Sequence, residues 1–261
     1  TLSLLRGGWQ EVMTRQFVTV LGSAETAESP EQLERICREF ITRLTGKQTI
    51  YQMLRLEEEM RKRGADCSPA AEYKRQYLAL LNQHISGRLQ SVRNRRRPPE
   101  AYMVRGAERL LKRLCRAGIV CHLASGTDQE YVVDEAELLG LTPYFGNRIH
   151  GAREDYRSFS KEIVIQDILR THLLDGSQLA SFGDGYVELE NARAVGGVAV
   201  GVASLENGEQ GWDPWKKERL LGVGAQILVP DWSEADLILD YLGVACPESD
   251  CNDPVPAVES K

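Results

Sequence analysis

The chain has 261 residues, of which 42% are hydrophobic and 27% charged, and its formal net charge is −6. That length suits one large domain or a core with a smaller companion, and the composition is ordinary for a globular protein. The acidic balance argues against a general nucleic-acid binder, and no apolar run approaches membrane-spanning length.

Thr1-Leu2-Ser3-Leu4-Leu5-Arg6 lacks the basic start and long apolar segment of a secretion signal. Six cysteines are scattered, with no close pair matched by a second pair. Cys115 and Cys121 sit in apolar patterns and read as small core residues. A reduced, cytoplasmic setting is expected. His84, His122, His150 and His172 stand apart in the sequence, without a partner at ligand spacing, so zinc is not expected.

Taken in order, Thr1 to Gly8 reads as a loop and Trp9 to Leu21 as a helix. Ser29-Pro30-Glu31-Gln32 is a helix start, with a serine cap followed by proline at the first helical position. Leu33, Ile36, Phe40, Ile41 and Leu44 recur at helical spacing, and Gly46 closes the segment. Thr49 to Arg63 is predicted helical. Ser68-Pro69 opens a further helix marked by Tyr73, Tyr77, Leu80, Leu81, His84 and Ile85. Residues from about 9 to 92 are thus read as almost entirely helical, with no convincing strand. Ser91 to Pro99 carries a run of arginines, read as a solvated linker or as a hinge whose charges attract an anion.

Beyond Pro99 the rhythm changes. Glu100 to Ala117 is predicted as a helix, Ile119 to Ala124 as a buried strand, and Gln129 to Leu139 as a helix. Ser160 to His172 is predicted helical, and Gln178 to Phe182 a strand. Leu189 to Gly196 reads as a helix and Val198 to Val202 as a strand. Pro214 to Leu221 is predicted helical, Ile227 to Val229 a strand and Ser233 to Leu242 a last helix. Such alternation implies a parallel sheet covered on both faces. The tail after Cys246, with Pro247, Pro254 and Pro256 among acids, is expected to be disordered.

Three stretches carry candidate chemistry. Ser181-Phe182-Gly183-Asp184-Gly185-Tyr186-Val187-Glu188 is a strand, a glycine turn and a helix, the junction at which open α/β sheets bind ligands. Asp184 and Glu188 there suit a hard divalent cation, or else a capped helix start with a solvated acid. Ser125-Gly126-Thr127 follows a strand, where a hydroxyl and free N–H groups suit a phosphate oxygen. Ser125 alone reads first as a helix cap. Lys161 opens a helix and alone reads as a surface lysine.

In that order, hydroxyl, lysine and acid pair, the sequence resembles the haloacid dehalogenase-like hydrolase superfamily in its phosphatase branch. Leu123-Ala124-Ser125-Gly126-Thr127 resembles its second motif, Lys161 its third-motif lysine, and Gly183-Asp184-Gly185-Tyr186-Val187-Glu188 its fourth. The helical block falls where relatives of phosphoglycolate phosphatase and β-phosphoglucomutase carry a cap. The resemblance implies an α/β fold: a Rossmann-like, doubly wound parallel sheet core with an inserted all-helical cap. It divides the chain into a cap, 8–96, and a core, 1–7 and 97–245, with 246–261 as tail.

The resemblance further implies Mg²⁺-dependent hydrolysis of a small phosphorylated metabolite, with no nucleic-acid or membrane partner. Ser125, Gly126 and Lys161 would bind the phosphoryl group, and Asp184 and Glu188 would hold Mg²⁺. Arg6 and Trp9, in the loop leading to the cap, are candidate substrate contacts, or a solvated arginine and a packed indole. A phosphomutase and a non-catalytic binding protein on the same fold remain alternatives. The superfamily's first motif, Asp-x-Asp-Gly-Thr, ends the central strand and supplies the nucleophile and the acid/base. Thr1-Leu2-Ser3 resembles the last residue of that motif and the loop after it. The resemblance therefore implies that strand and both aspartates lie before Thr1.

Overall fold

In a computed structural model of the chain, residues 1–24 and 27–245 are described. The tail expected to be disordered lies outside the described residues.

Four helices come first: α1 (Trp9–Gly22), α2 (Pro30–Arg43), α3 (Thr49–Lys62) and α4 (Ala70–Arg93). The start of α2 is local chemistry. The Ser29 hydroxyl accepts the Gln32 N–H, the Gln32 side chain accepts the Ser29 N–H, and Pro30 fills the first helical position. The four helices pack on apolar residues of their own, with Phe17, Leu21, Ile41, Met53, Leu56, Leu81 and Ile85 fully buried. Each such side chain contributes roughly 1.5–3 kcal/mol, which holds together helices that would be marginal alone. Residues 5–8 and 94–98 join this unit to the rest. Arg88 fastens the first connection, donating to the carbonyls of Leu5 (2.9 Å) and Gly7 (2.7 Å).

The predicted helix from Glu100 to Ala117 is broken in two. A single 3₁₀ turn, Pro99–Tyr102, precedes α5 (Ala107–Arg116). The cause is tertiary. Met103 bridges antiparallel to Ser3, Val104 N–H donates to the Leu2 carbonyl, and Leu4 N–H to that of Tyr102. Gly106, at φ 78°, then turns the chain beside the Trp232 carbonyl, where a Cβ would lie 2.2 Å from the oxygen.

The next strand is also displaced. β1 spans Leu123–Asp128, and Ile119 and Val120, predicted as its start, are exposed. After α6 (Gln129–Leu138) and α7 (Thr142–Phe145) comes β2 (Ile149–Ala152), which nothing in the sequence announces. Parallel pairing with β2 sets Leu123 against Ile149 and Ala124 against His150, and so fixes where β1 begins. Then follow α8 (Lys161–His172), β3 (Ala180–Gly183), α9 (Tyr186–Ala194), β4 (Val198–Val202), α10 (Pro214–Gly222), β5 (Ile227–Val229) and α11 (Ala235–Tyr241). α9 begins at Tyr186, three residues before its predicted start, because Glu188 folds back to cap it.

The architecture is a Rossmann-like α/β core with a helical unit inserted near its beginning. In one respect it departs from the single sheet expected. β3, β4 and β5 form one parallel sheet in that order, and β1 and β2 another. Among the described residues β1 and β3 therefore each keep an unpaired edge. Both sheets feed one apolar core, through Ile149, Val200 and Val202 packed with Leu111, Val132 and Trp232. Every residue of β1 is only half-buried, unlike the strands of a closed parallel sheet.

Candidate active site

A cavity of about 250 Å³ lies between the helical unit and the carboxyl ends of β1 and β3. Ser125, Gly126, Lys161, Asp184, Glu188, Arg6 and Trp9 all line it.

Ser125 lies within β1 rather than beyond it, and its hydroxyl accepts the Thr127 N–H at 3.2 Å. At Gly126 the backbone of the α2–α3 loop presses on the strand: a Cβ would stand 2.5 Å from the Lys47 carbonyl oxygen. Gln48 clasps the same loop to the core, donating to the carbonyls of Tyr156 (2.8 Å) and Phe159 (2.6 Å). The helical unit is thus closed over the cavity.

Lys161 is the first residue of α8, which the Ser160 hydroxyl caps by accepting the Ile163 N–H. Its ammonium lies 2.8 Å from Oε2 of Glu188, and both side chains are largely buried. The other Glu188 oxygen accepts the Gly185 N–H at 3.0 Å. A Cβ at Gly183 would stand 2.4 Å from Glu188 Cγ, so the glycine leaves the carboxylate room to fold beneath the turn. Glu188 therefore neutralises Lys161 and caps α9 together.

Asp184 faces two positive groups. The Thr1 amino group lies 2.8 Å from Oδ1, and Lys216 Nζ 3.4 Å from Oδ2. Burial opposes ionisation of Asp184, but the two cations outweigh it and hold the carboxyl well below its usual range. Lys216 is buried, donates to the Ser204 carbonyl and also faces Glu206 at 3.6 Å. Burial disfavours its charge, and Asp184 and Glu206 more than restore it. The sequence reading passed over Lys216. A signal was present: Asp213-Pro214 starts α10, and a lysine in a helix's first turn opposes the helix dipole unless acids hold it.

Arg6 is not solvated. Its Nε donates to Glu135 at 2.8 Å and its guanidinium lies over the Tyr131 ring. Trp9 begins α1 and packs against the helical core. The histidines read as separate are partly gathered. His122 Nδ1 and His150 Nε2 are 3.2 Å apart, and the His172 ring meets His122 edge-on. Pairing of β1 with β2 creates that contact. Burial, then the neighbouring positive groups, push His122 down to about 4. Among the described residues no three His, Cys, Asp or Glu side chains gather to hold a metal ion.

A haloacid dehalogenase-like protein of unknown function from Agrobacterium tumefaciens superposes with a TM-score of 0.57 at 17% identity, covering 90% of this chain and 93% of that one. The chain has the haloacid dehalogenase-like fold. A predicted phosphoglycolate phosphatase from Haemophilus somnus shares the fold at TM-score 0.56 and 10% identity, over 89% of this chain and 91% of that one. So does a protein described as a haloacid dehalogenase family hydrolase from Deinococcus radiodurans, solved with bound phosphate and sodium, at TM-score 0.51 and 12% identity, over 91% and 92%. No family model matches the sequence, and no curated protein sequence matches it. On this core Ser125 lies within β1, Lys161 at the start of α8, which follows β2, and Asp184 between β3 and α9. No described helix is long and apolar enough to cross a membrane.

Proposed function

We propose that the protein is a Mg²⁺-dependent phosphomonoester hydrolase acting on a small phosphorylated metabolite in the cytoplasm. The observation that carries this reading is the convergence of the Ser125 hydroxyl, the Lys161 ammonium and the Asp184 carboxylate on one cavity under a closed helical cap. The phosphate bound by the Deinococcus radiodurans relative supports it.

The residues fit a phosphoryl group and a hard cation. Lys161 and Ser125 offer an ammonium and a hydroxyl to phosphate oxygens, and Glu188 holds the ammonium in place. Asp184 offers oxygens to which the Lys216 ammonium is already drawn. Mg²⁺ needs only one or two protein carboxylates, since phosphate and water complete its shell. When bound there, the ion would offset charge on the transferring group. Glu188, which holds Lys161 and caps α9, would act on it directly or through water.

In the proposed reaction a carboxylate attacks phosphorus, the alcohol leaves, and water cleaves the resulting aspartyl-phosphate. Asp184 and Glu188 are engaged by cations and are not assigned as the nucleophile; the resemblance gives that role to the superfamily's first-motif aspartate. The cap excludes water, and Arg6 and Trp9 meet the leaving group.

The test is phosphate release from an aryl phosphate and a panel of phosphorylated metabolites, with and without Mg²⁺, using the chain extended upstream. Mg²⁺-dependent release is expected. Lys161→Ala should lower turnover by about 10²–10³-fold, the usual cost of one electrostatic contact to the transition state, and Asp184→Asn should lower it sharply. No release from any ester by the extended protein would overturn the reading. Transfer to a second hydroxyl of a sugar phosphate, without free phosphate, would make it a mutase.

A further inference from the structure

The carbonyl end of α2 points at the core, and a core arginine meets it. Arg219, on α10, donates from one guanidinium nitrogen to the Thr42 carbonyl and from another to that of Arg43 at 3.3 Å. The Tyr186 hydroxyl also donates to the Arg43 carbonyl, at 2.9 Å. The guanidinium is stacked between two rings, 4.1 Å from the centroid of Tyr186 and 5.0 Å from that of Trp215. A helix's last carbonyls carry its negative dipole end, so a cation supplied from another unit is matched in charge as well as geometry.

The position matters more than the strength. Thr42 and Arg43 lead straight into the Thr45–Lys47 loop, which lines the cavity and presses on Gly126. Tyr186 follows Asp184-Gly185 in sequence, and Trp215 immediately precedes Lys216. The turns that hold Asp184 and its lysine partner thus also hold the arginine that holds the cap.

We propose that Arg219 is the latch that keeps the helical cap shut, and that through the Thr45–Lys47 loop it is a positioning residue for the phosphate site. The second half rests on the proposed hydrolase function; the first does not. Lysine would keep the charge but lose the planar fork that reaches two carbonyls while stacked between rings.

Hydrogen–deuterium exchange on the full chain tests the latch. Arg219→Ala should speed exchange of the 44–48 amides about tenfold or more, the scale set by losing a charge-assisted hydrogen bond. Arg219→Lys should recover only part of the protection. Unchanged exchange at 44–48 in a folded Arg219→Ala protein would overturn the proposal. If that variant does not fold, Tyr186→Phe, which removes one peripheral hydrogen bond, should give a smaller rise in the same segment; no rise would overturn it equally. In the active protein, Arg219→Ala should lower kcat/KM mainly through KM, and an unchanged kcat/KM would overturn the positioning role. Faster exchange in a protein that hydrolyses no ester would leave the latch standing and remove the hydrolase reading.

Discussion

At Gly126 the two units meet with no room for a side chain. Any side chain there must displace the Lys47 carbonyl or open the cap. We expect Gly126→Ala to lower stability by about 1–3 kcal/mol, the usual range for overpacking, read as a lower urea midpoint. His122 makes a different test. Its ring is held near 4, whereas an unfolded histidine titrates near 6.5. Between those values the unfolded chain binds the extra proton and the folded chain does not, so stability rises with pH across that window. The contribution is complete above about 6.5 and is lost as pH falls toward 4. His150 is shifted the same way by burial. Thermal melts from pH 7 to 4.5 should show a falling midpoint, and His122→Gln should flatten the fall. An equal slope in both proteins would mean that other groups control it.

At the scale of elements, what the sequence made legible was local. Ser29-Pro30 marks a helix because cap, proline and Gln32 lie within four residues, and α2 starts there. Ser29→Ala should cost about 1 kcal/mol through loss of the cap, measured as a lowered melting midpoint. The glycine turn at Asp184 was legible for the same reason. What escaped was set by distant partners. Ile119-Val120 has strand composition but no strand to pair with, whereas Ser125-Gly126-Thr127 is drawn into β1 beside β2. Ile149-His150-Gly151-Ala152 is too short and mixed to announce itself. The helix predicted from Glu100 breaks because Met103 and Val104 pair with residues near the N-terminus. In the site, the positions of Ser125, Lys161 and Asp184 followed from order along the chain. That Glu188 anchors Lys161, that Arg6 is bound by Glu135, and that Lys216 is buried beside Asp184 all depend on contacts between distant segments.

At the scale of the molecule, the two largest apolar clusters lie on either side of one cavity, and the cap is fastened to the core at several points: Gly126 against Lys47, Gln48 against Tyr156 and Phe159, and Lys74 to Asp128. The unpaired edges of β1 and β3 have a consequence for solution behaviour. Natural edge strands are guarded by lysine, proline or a bulge that discourages pairing with another chain. Ala180-Ser181-Phe182-Gly183 carries no charge and no proline, whereas β1 ends in the charged Asp128 and its pairing with β2 is irregular between Ala124 and Asp128. The β3 edge is therefore the template on which a foreign extended segment can add hydrogen bonds. The 261-residue chain is therefore expected to self-associate as its concentration rises, with light scattering climbing before any loss of helical signal. A version carrying an additional N-terminal strand that fills the edges should stay clear under the same conditions. Equal scattering from the two would show that the edges are already protected from intermolecular pairing.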